Sequence, residues 1–114
     1  MATDGVAGEG AEVAAVYEAR HFDGVTVVKA VGELGRTELA GIAGVAAEAR
    51  RQGRMVVVDL KRVTHLHYAG AALLAAIPGL RAAGASRYVR DLVHAGGGGH
   101  VELFPDVEEA LRAA

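Results

Sequence analysis

The sequence predicts an α/β domain in which strands and helices alternate along the chain. Met55 to Leu60 is a continuous apolar run, the pattern of a central strand covered on both faces. A β-branched strand and a helically spaced segment precede it, and strand–helix–strand in that order argues for a right-handed parallel crossover. The composition agrees: the chain is 52% hydrophobic but only 4% aromatic, and Ala, Val, Gly and Leu do the filling. Small side chains let helices lie close to a sheet. With 114 residues, the chain fits one compact domain and not two.

Residues 1–12 are small, polar and glycine-rich without a period, and are read as a disordered tail before a domain spanning 13–114. Val13 to Arg20 is a strand candidate. An Asp23-Gly24 turn signal separates it from the β-branched strand Val25 to Val31, so the two should form a hairpin that ends at Gly32 to Gly35. Thr37 is a plausible N-cap for a helix from Glu38 to about Gln52. Its apolar face is Leu39, Ile42, Ala43, Ala46 and Ala49, and Gly53 stops it. After the strand Met55 to Leu60 comes a short polar turn, then an alanine-rich helix starting near Ala69.

Pro78-Gly79 interrupts that helix. Either it ends at Ile77 and Leu80 to Ala83 forms a short strand, or it kinks and continues to Ala83. Ser86 can cap a further helix through Tyr88, Val89, Leu92 and Val93. Gly96 to Gly99 is a flexible break, His100 to Phe104 a last strand, and Pro105-Asp106 the start of a terminal helix, Val107 to Ala113.

Several function classes are disfavoured at once. A net charge of −2 gives no reason to expect nucleic-acid binding, which shows as a basic stripe. With no cysteine, disulfides, thiolate catalysis and cysteine zinc sites are excluded. There is no membrane-length apolar run and no signal core, so a cytoplasmic location is the expectation.

The stretch from Met55 to Gly70 resembles the switch region of STAS domains, the family of bacterial anti-sigma factor antagonists. Val27 to Leu34 looks like that family's second strand with its Gly-Glu-Leu ending. Val56 to Leu60 resembles the third strand with its terminal aspartate, and Phe104 to Leu111 the closing strand and helix. The resemblance covers roughly Val13 to Leu111. It implies a small mixed, mostly parallel β-sheet with helices packed mainly on one side. Between Gly70 and Ser86 the chain is short for the family, so the fourth strand is expected to be shortened or missing. A sheet edge exposed there would invite pairing with another chain, possible as a homodimer.

In the family, a motif of the type Asp-Ser-Ser-Gly sits at the helix start, and its first serine is phosphorylated. Here these positions hold His67, Tyr68, Ala69 and Gly70. A kinase of the anti-sigma type needs a short primary hydroxyl at a helix N-terminus, where phosphate gains from free N–H groups. Tyrosine carries its hydroxyl several ångströms further out, so no phosphoserine is transferred to this chain.

Other candidates have plainer readings. His65 and His67 stand two apart and could chelate a metal from one face of an extended segment. Without cysteine or an obvious carboxylate partner, they read as solvated turn histidines. Asp59 reads as a structural loop carboxylate accepting backbone hydrogen bonds, as the resemblance implies. Gly96 to Gly99 lacks the Gly-Lys-Ser/Thr ending of a phosphate loop. Glu33 has no identifiable partner for general-base work. Arg81, Arg87 and Arg90 form either a patch for an acidic partner or an ordinary solvated face. Tyr68 is either an interface anchor or a ring packed on Leu73 or the neighbouring turn.

The resulting expectation is a non-enzymatic protein-binding module in bacterial signalling, with no metal or cofactor. Its partner-binding surface is Thr64, His65, His67, Tyr68, Ala69 and Gly70. The family implies an anti-sigma kinase or another signalling protein as partner. The alternative is a small STAS-like subunit of a lipid or solute transport assembly. A ligand cleft near Gly32 to Gly35 and Tyr68 ranks last.

Overall fold

The computed structural model describes residues 11–13, 17–97 and 101–113. Six strands form one sheet in sequence order: β1 (Ala11–Val13), β2 (Tyr17–Phe22), β3 (Val25–Leu34), β4 (Met55–Leu66), β5 (Arg81–Ala83) and β6 (Glu102–Phe104). The pairs β1–β2 and β2–β3 are antiparallel, while β3–β4, β4–β5 and β5–β6 are parallel. The helices are α1 (Arg36–Arg51), α2 (Tyr68–Ala75), α3 (Arg87–Ala95) and α4 (Val107–Arg112).

The parallel pairing follows from the burial of β4. Val56, Val57, Val58 and Leu60 are all completely buried, so neither face of this strand meets water. Val56, Val58 and Leu60 join the main core with Leu39 and Ile42 of α1, Leu74 of α2, and Val89 and Val93 of α3. On the other face Val57, Ala83 and Ala110 form a second, smaller core under α4. Three helices thus cover one face and one short helix covers part of the other, the mixed, mostly parallel architecture expected.

Helix boundaries follow local chemistry. The N-cap of α1 is Gly35 and not Thr37, because the helix begins directly where β3 ends. Gly35 C=O accepts from Leu39 N–H at 3.0 Å, and Glu38 Oε1 accepts from Gly35 N–H at 3.0 Å. At the far end Gly53, with φ +79°, lets Arg54 N–H reach Ala49 C=O at 3.0 Å while Gly53 N–H meets Arg50 C=O at 2.9 Å. Near that end an exposed Arg51 hydrogen-bonds Glu48 and holds its carboxyl below the usual range. Ser86 caps α3 as expected, accepting from Val89 N–H at 3.1 Å, and Asp106 caps α4.

Several expectations are corrected. The single strand over Val13 to Arg20 is two strands, β1 and β2, paired Val13 to Glu18. Ala11 and Glu12, assigned to the tail, belong to β1; the rest of that tail lies outside the described residues, as do Gly98, Gly99 and His100 of the glycine break and last strand. Around Pro78 the first of the two readings holds: the helix from Tyr68 ends before it, and the fourth strand is present in shortened form as β5, between β4 and β6.

The polar turn expected after Leu60 is also strand. Leu60, Val63 and Leu66 are buried with two exposed residues between each pair. A spacing of three hides a strand, and two bulges produce it. Asp59 faces Lys29 and Arg62 faces Val31, so β4 spends three residues where β3 spends two; Val63 to His65 does the same against Gly32 to Glu33. Among the described residues no helix is long and apolar enough to cross a membrane.

Arg81 ties the smaller core together. Its Nη1 donates to Ala110 C=O at 2.6 Å and Ala113 C=O at 2.7 Å, satisfying carbonyls at the end of α4. Its Nε lies 3.5 Å from Glu102, and the guanidinium sits 5.6 Å above the Phe104 ring. Arg81→Ala should therefore lower stability by about 2–4 kcal/mol, since hydrogen bonds from charged groups are the strong ones. Urea unfolding checks this; an unchanged midpoint would show that α4 docks without Arg81.

Candidate functional site

The parallel strands β3, β4 and β5 finish at one end of the sheet, and α1, α2 and α3 begin there. At this end β4 hands over to α2 through a single residue, His67. Its N–H donates to Leu34 C=O at 2.9 Å, fixing the start of α2 to the end of β3. Its carbonyl accepts from Gly70 N–H at 2.9 Å and Ala71 N–H at 3.2 Å. Its ring caps the helix, with Nδ1 accepting from Ala69 N–H at 3.2 Å. An imidazole thus takes the place of the short oxygen side chain usual at an N-cap, and only an unprotonated Nδ1 can do so.

Two glycines hold the first turn of α2 in place. A Cβ on Gly70 would lie 2.6 Å from Leu39 Cδ1, so α1 and α2 touch there. A Cβ on Gly96 would lie 2.1 Å from Tyr68 C=O, so the end of α3 abuts the start of α2. The backbone of Tyr68 is therefore packed, while its side chain turns outward and is 58% exposed. The Tyr68 ring stacks on His67, with centroids 5.7 Å apart and planes 9° apart. It packs on the turn residue and remains open on its other side.

A second aromatic pair stands on the same region. His65, near the end of β4, meets Tyr88 of α3: the Nδ1 to hydroxyl distance is 2.8 Å and the ring centroids are 5.8 Å apart. Tyr88 is itself 53% exposed. Sequence reading counted Tyr88 with the apolar spacing of α3, yet the buried residues of that helix are Val89 and Val93. A residue directly preceding the buried stripe falls about 100° off its axis, and that was the available signal. Leu73 also lies exposed, lining a shallow depression with Arg36, Thr37 and Ala40.

The predicted residues are thus partly assembled. His67, Tyr68, Ala69 and Gly70 form the helix start, and Thr64 and His65 stand on strand rather than loop. Asp59 is elsewhere: its Oδ1 accepts from Lys61 N–H at 3.0 Å at the first bulge, and it lines a cleft on the opposite sheet face with Phe22, Val27 and Leu111. Both imidazoles spend Nδ1 on neighbours, and among the described residues no three His, Asp or Glu side chains gather to hold a metal.

No family model matches the chain, and no curated protein matches it. Solved structures do. The anti-sigma factor antagonist SpoIIAA in its unphosphorylated form is 19% identical, with a TM-score of 0.65 over 83% of this chain and 92% of that one. An anti-sigma factor antagonist from Mycobacterium paratuberculosis is 22% identical, with a TM-score of 0.66 over 83% and 89%. The phosphorylated form of the Bacillus cell fate determinant SpoIIAA is 20% identical, with a TM-score of 0.58 over 83% and 96%. The fold is the STAS fold.

The close contact at the helix start is testable by paired glycine substitutions. Gly96→Ala should lower stability by about 1–3 kcal/mol, because the added carbon meets backbone that cannot yield easily. Gly44→Ala, in the middle of α1 with nothing within 4 Å, should instead raise it by about 0.5–1 kcal/mol. Equal effects in denaturant titrations would refute the wedge between α2 and α3.

Proposed function

We propose that this chain is a non-enzymatic, cytoplasmic protein-binding module in bacterial signalling, similar in role to the anti-sigma factor antagonists whose fold it has. Its docking surface is the end of β4 and the start of α2, from Thr64 to Gly70, extended by Tyr88. The observation that carries this reading is Tyr68, a half-exposed ring on a rigidly packed backbone. An amphipathic ring that loses little freedom on binding makes a good interface anchor. One of the similar structures is a phosphorylated form. Here the helix start carries no serine or threonine, since His67, Tyr68, Ala69 and Gly70 occupy it. Docking is therefore constitutive, or controlled by something other than serine phosphorylation.

The test is affinity capture from native-cell lysate with mass spectrometry, comparing wild type, Tyr68→Ala and Tyr68→Asp. An anti-sigma kinase or related signalling protein should be retained by wild type. Both variants should bind it about thirtyfold more weakly, the loss expected for a hot-spot aromatic, with thermal stability unchanged. Recovery of transporter subunits would assign the domain to a transport assembly. Equal retention by all three proteins would remove Tyr68 from the interface.

A further inference from the structure

Lysine and arginine side chains divide into two groups. Arg20, Arg51, Arg81 and Arg112 meet carboxylates, and Arg50 and Arg54 donate to backbone carbonyls. Among the described residues the side chains of Lys29, Arg36, Lys61, Arg62, Arg87 and Arg90 make no ion pair or hydrogen bond. Four of these six stand where the parallel strands finish. Arg36 opens α1, Lys61 and Arg62 lie in the second half of β4, and Arg87 opens α3. All four are exposed.

Their positions bracket the aromatic pairs. Arg36 shares a depression with Leu73 of α2, Arg87 directly precedes Tyr88, and Lys61 Cβ lies against Gly84 in the connection to α3. The carboxylates nearby are partly engaged: Glu33 faces His65 in register, Glu38 accepts from Gly35 N–H, Asp59 accepts from Lys61 N–H, and Asp91 lies a turn further along α3. A cationic rim around aromatic anchors, on a chain whose net charge is −2, runs against the sign of the whole protein. Such local charge steers encounter and selects the sign of the partner.

We infer that the partner docking on Tyr68 and Tyr88 presents an acidic protein surface to this rim. The inference rests on the docking role proposed above and adds the partner's chemistry to it. The negative net charge and the aromatic centre favour a carboxylate-bearing protein over a nucleic acid.

The probes are a random glutamate–tyrosine copolymer and a single-stranded oligonucleotide, each titrated against the full chain and measured by fluorescence anisotropy. The copolymer should bind, weakening about tenfold between low and physiological salt. Arg62→Glu and Arg87→Glu should each weaken it about fivefold or more, as charge reversal at a rim does. Lys29→Glu, an equally unpaired cation further back along β3 and opposite Asp59, should leave it unchanged. Absent copolymer binding, equal effects of all three substitutions, or tighter binding of the oligonucleotide would each overturn the inference. The lysate capture separates the two claims: a Tyr68-dependent partner retained equally by Arg62→Glu and Arg87→Glu keeps the docking role and removes the acidic partner.

Discussion

Everything at the candidate site depends on the parallel ladder between β3 and β4. That ladder runs from Val25 opposite Met55 to Leu34 opposite Leu66, and it survives two register shifts on the way. Its first half is held by burial, with Val56, Val57, Val58 and Leu60 wholly withdrawn from water. Its second half projects past β5, whose pairing with β4 stops at Asp59. Only Val63 and Leu66 anchor that projection in the core. The bulges make this possible, since each inserts an exposed residue while returning the next apolar side chain to the helix-covered face. Without them a strict period of two would put Val63 and Leu66 on opposite faces. The strand therefore changes character along its length, from buried support to a ribbon carrying Thr64 and His65.

Small residues then convert that ribbon into a rigid platform. Leu39 fills the space a side chain at Gly70 would need, and Tyr68 C=O occupies the space beside Gly96. Close helix contact of this kind gains dispersion energy without bulky side chains, which suits a chain with so few aromatics. The aromatics that do exist are spent unevenly. Tyr68 and Tyr88 are more than half exposed, whereas the wholly buried side chains of the core are aliphatic apart from Thr26. A protein that fills its core with Val, Leu, Ile and Ala and places Tyr68 and Tyr88 outside leaves those two rings available for contact.

Much of this was legible in the sequence, and the illegible part has identifiable causes. The α1 helix, the hairpin at Asp23-Gly24, the Ser86 cap and the buried start of β4 each follow from local spacing or a single residue type. The continuation of β4 to Leu66 was hidden because bulges replace alternation with a spacing of three. The start of α1 was misplaced because Thr37 offers a better side-chain cap than Gly35, yet the strand end decides where the helix begins. Tyr88 was missed because its partner, His65, is 23 residues away, and no local pattern encodes such a pairing. The helix start was found through family resemblance; periodicity alone gives no reason to single out His67 or Tyr68.

The helix start His67-Tyr68-Ala69-Gly70 is ordered by a side chain as well as by packing. Nδ1 of His67 accepts from Ala69 N–H and so caps α2. The same ring offers a flat face on which Tyr68 stacks. The chemistry that orders the helix start and the chemistry that presents Tyr68 thus share one imidazole. A surface built this way is held in one arrangement by its own cap and by the close glycine contacts behind it.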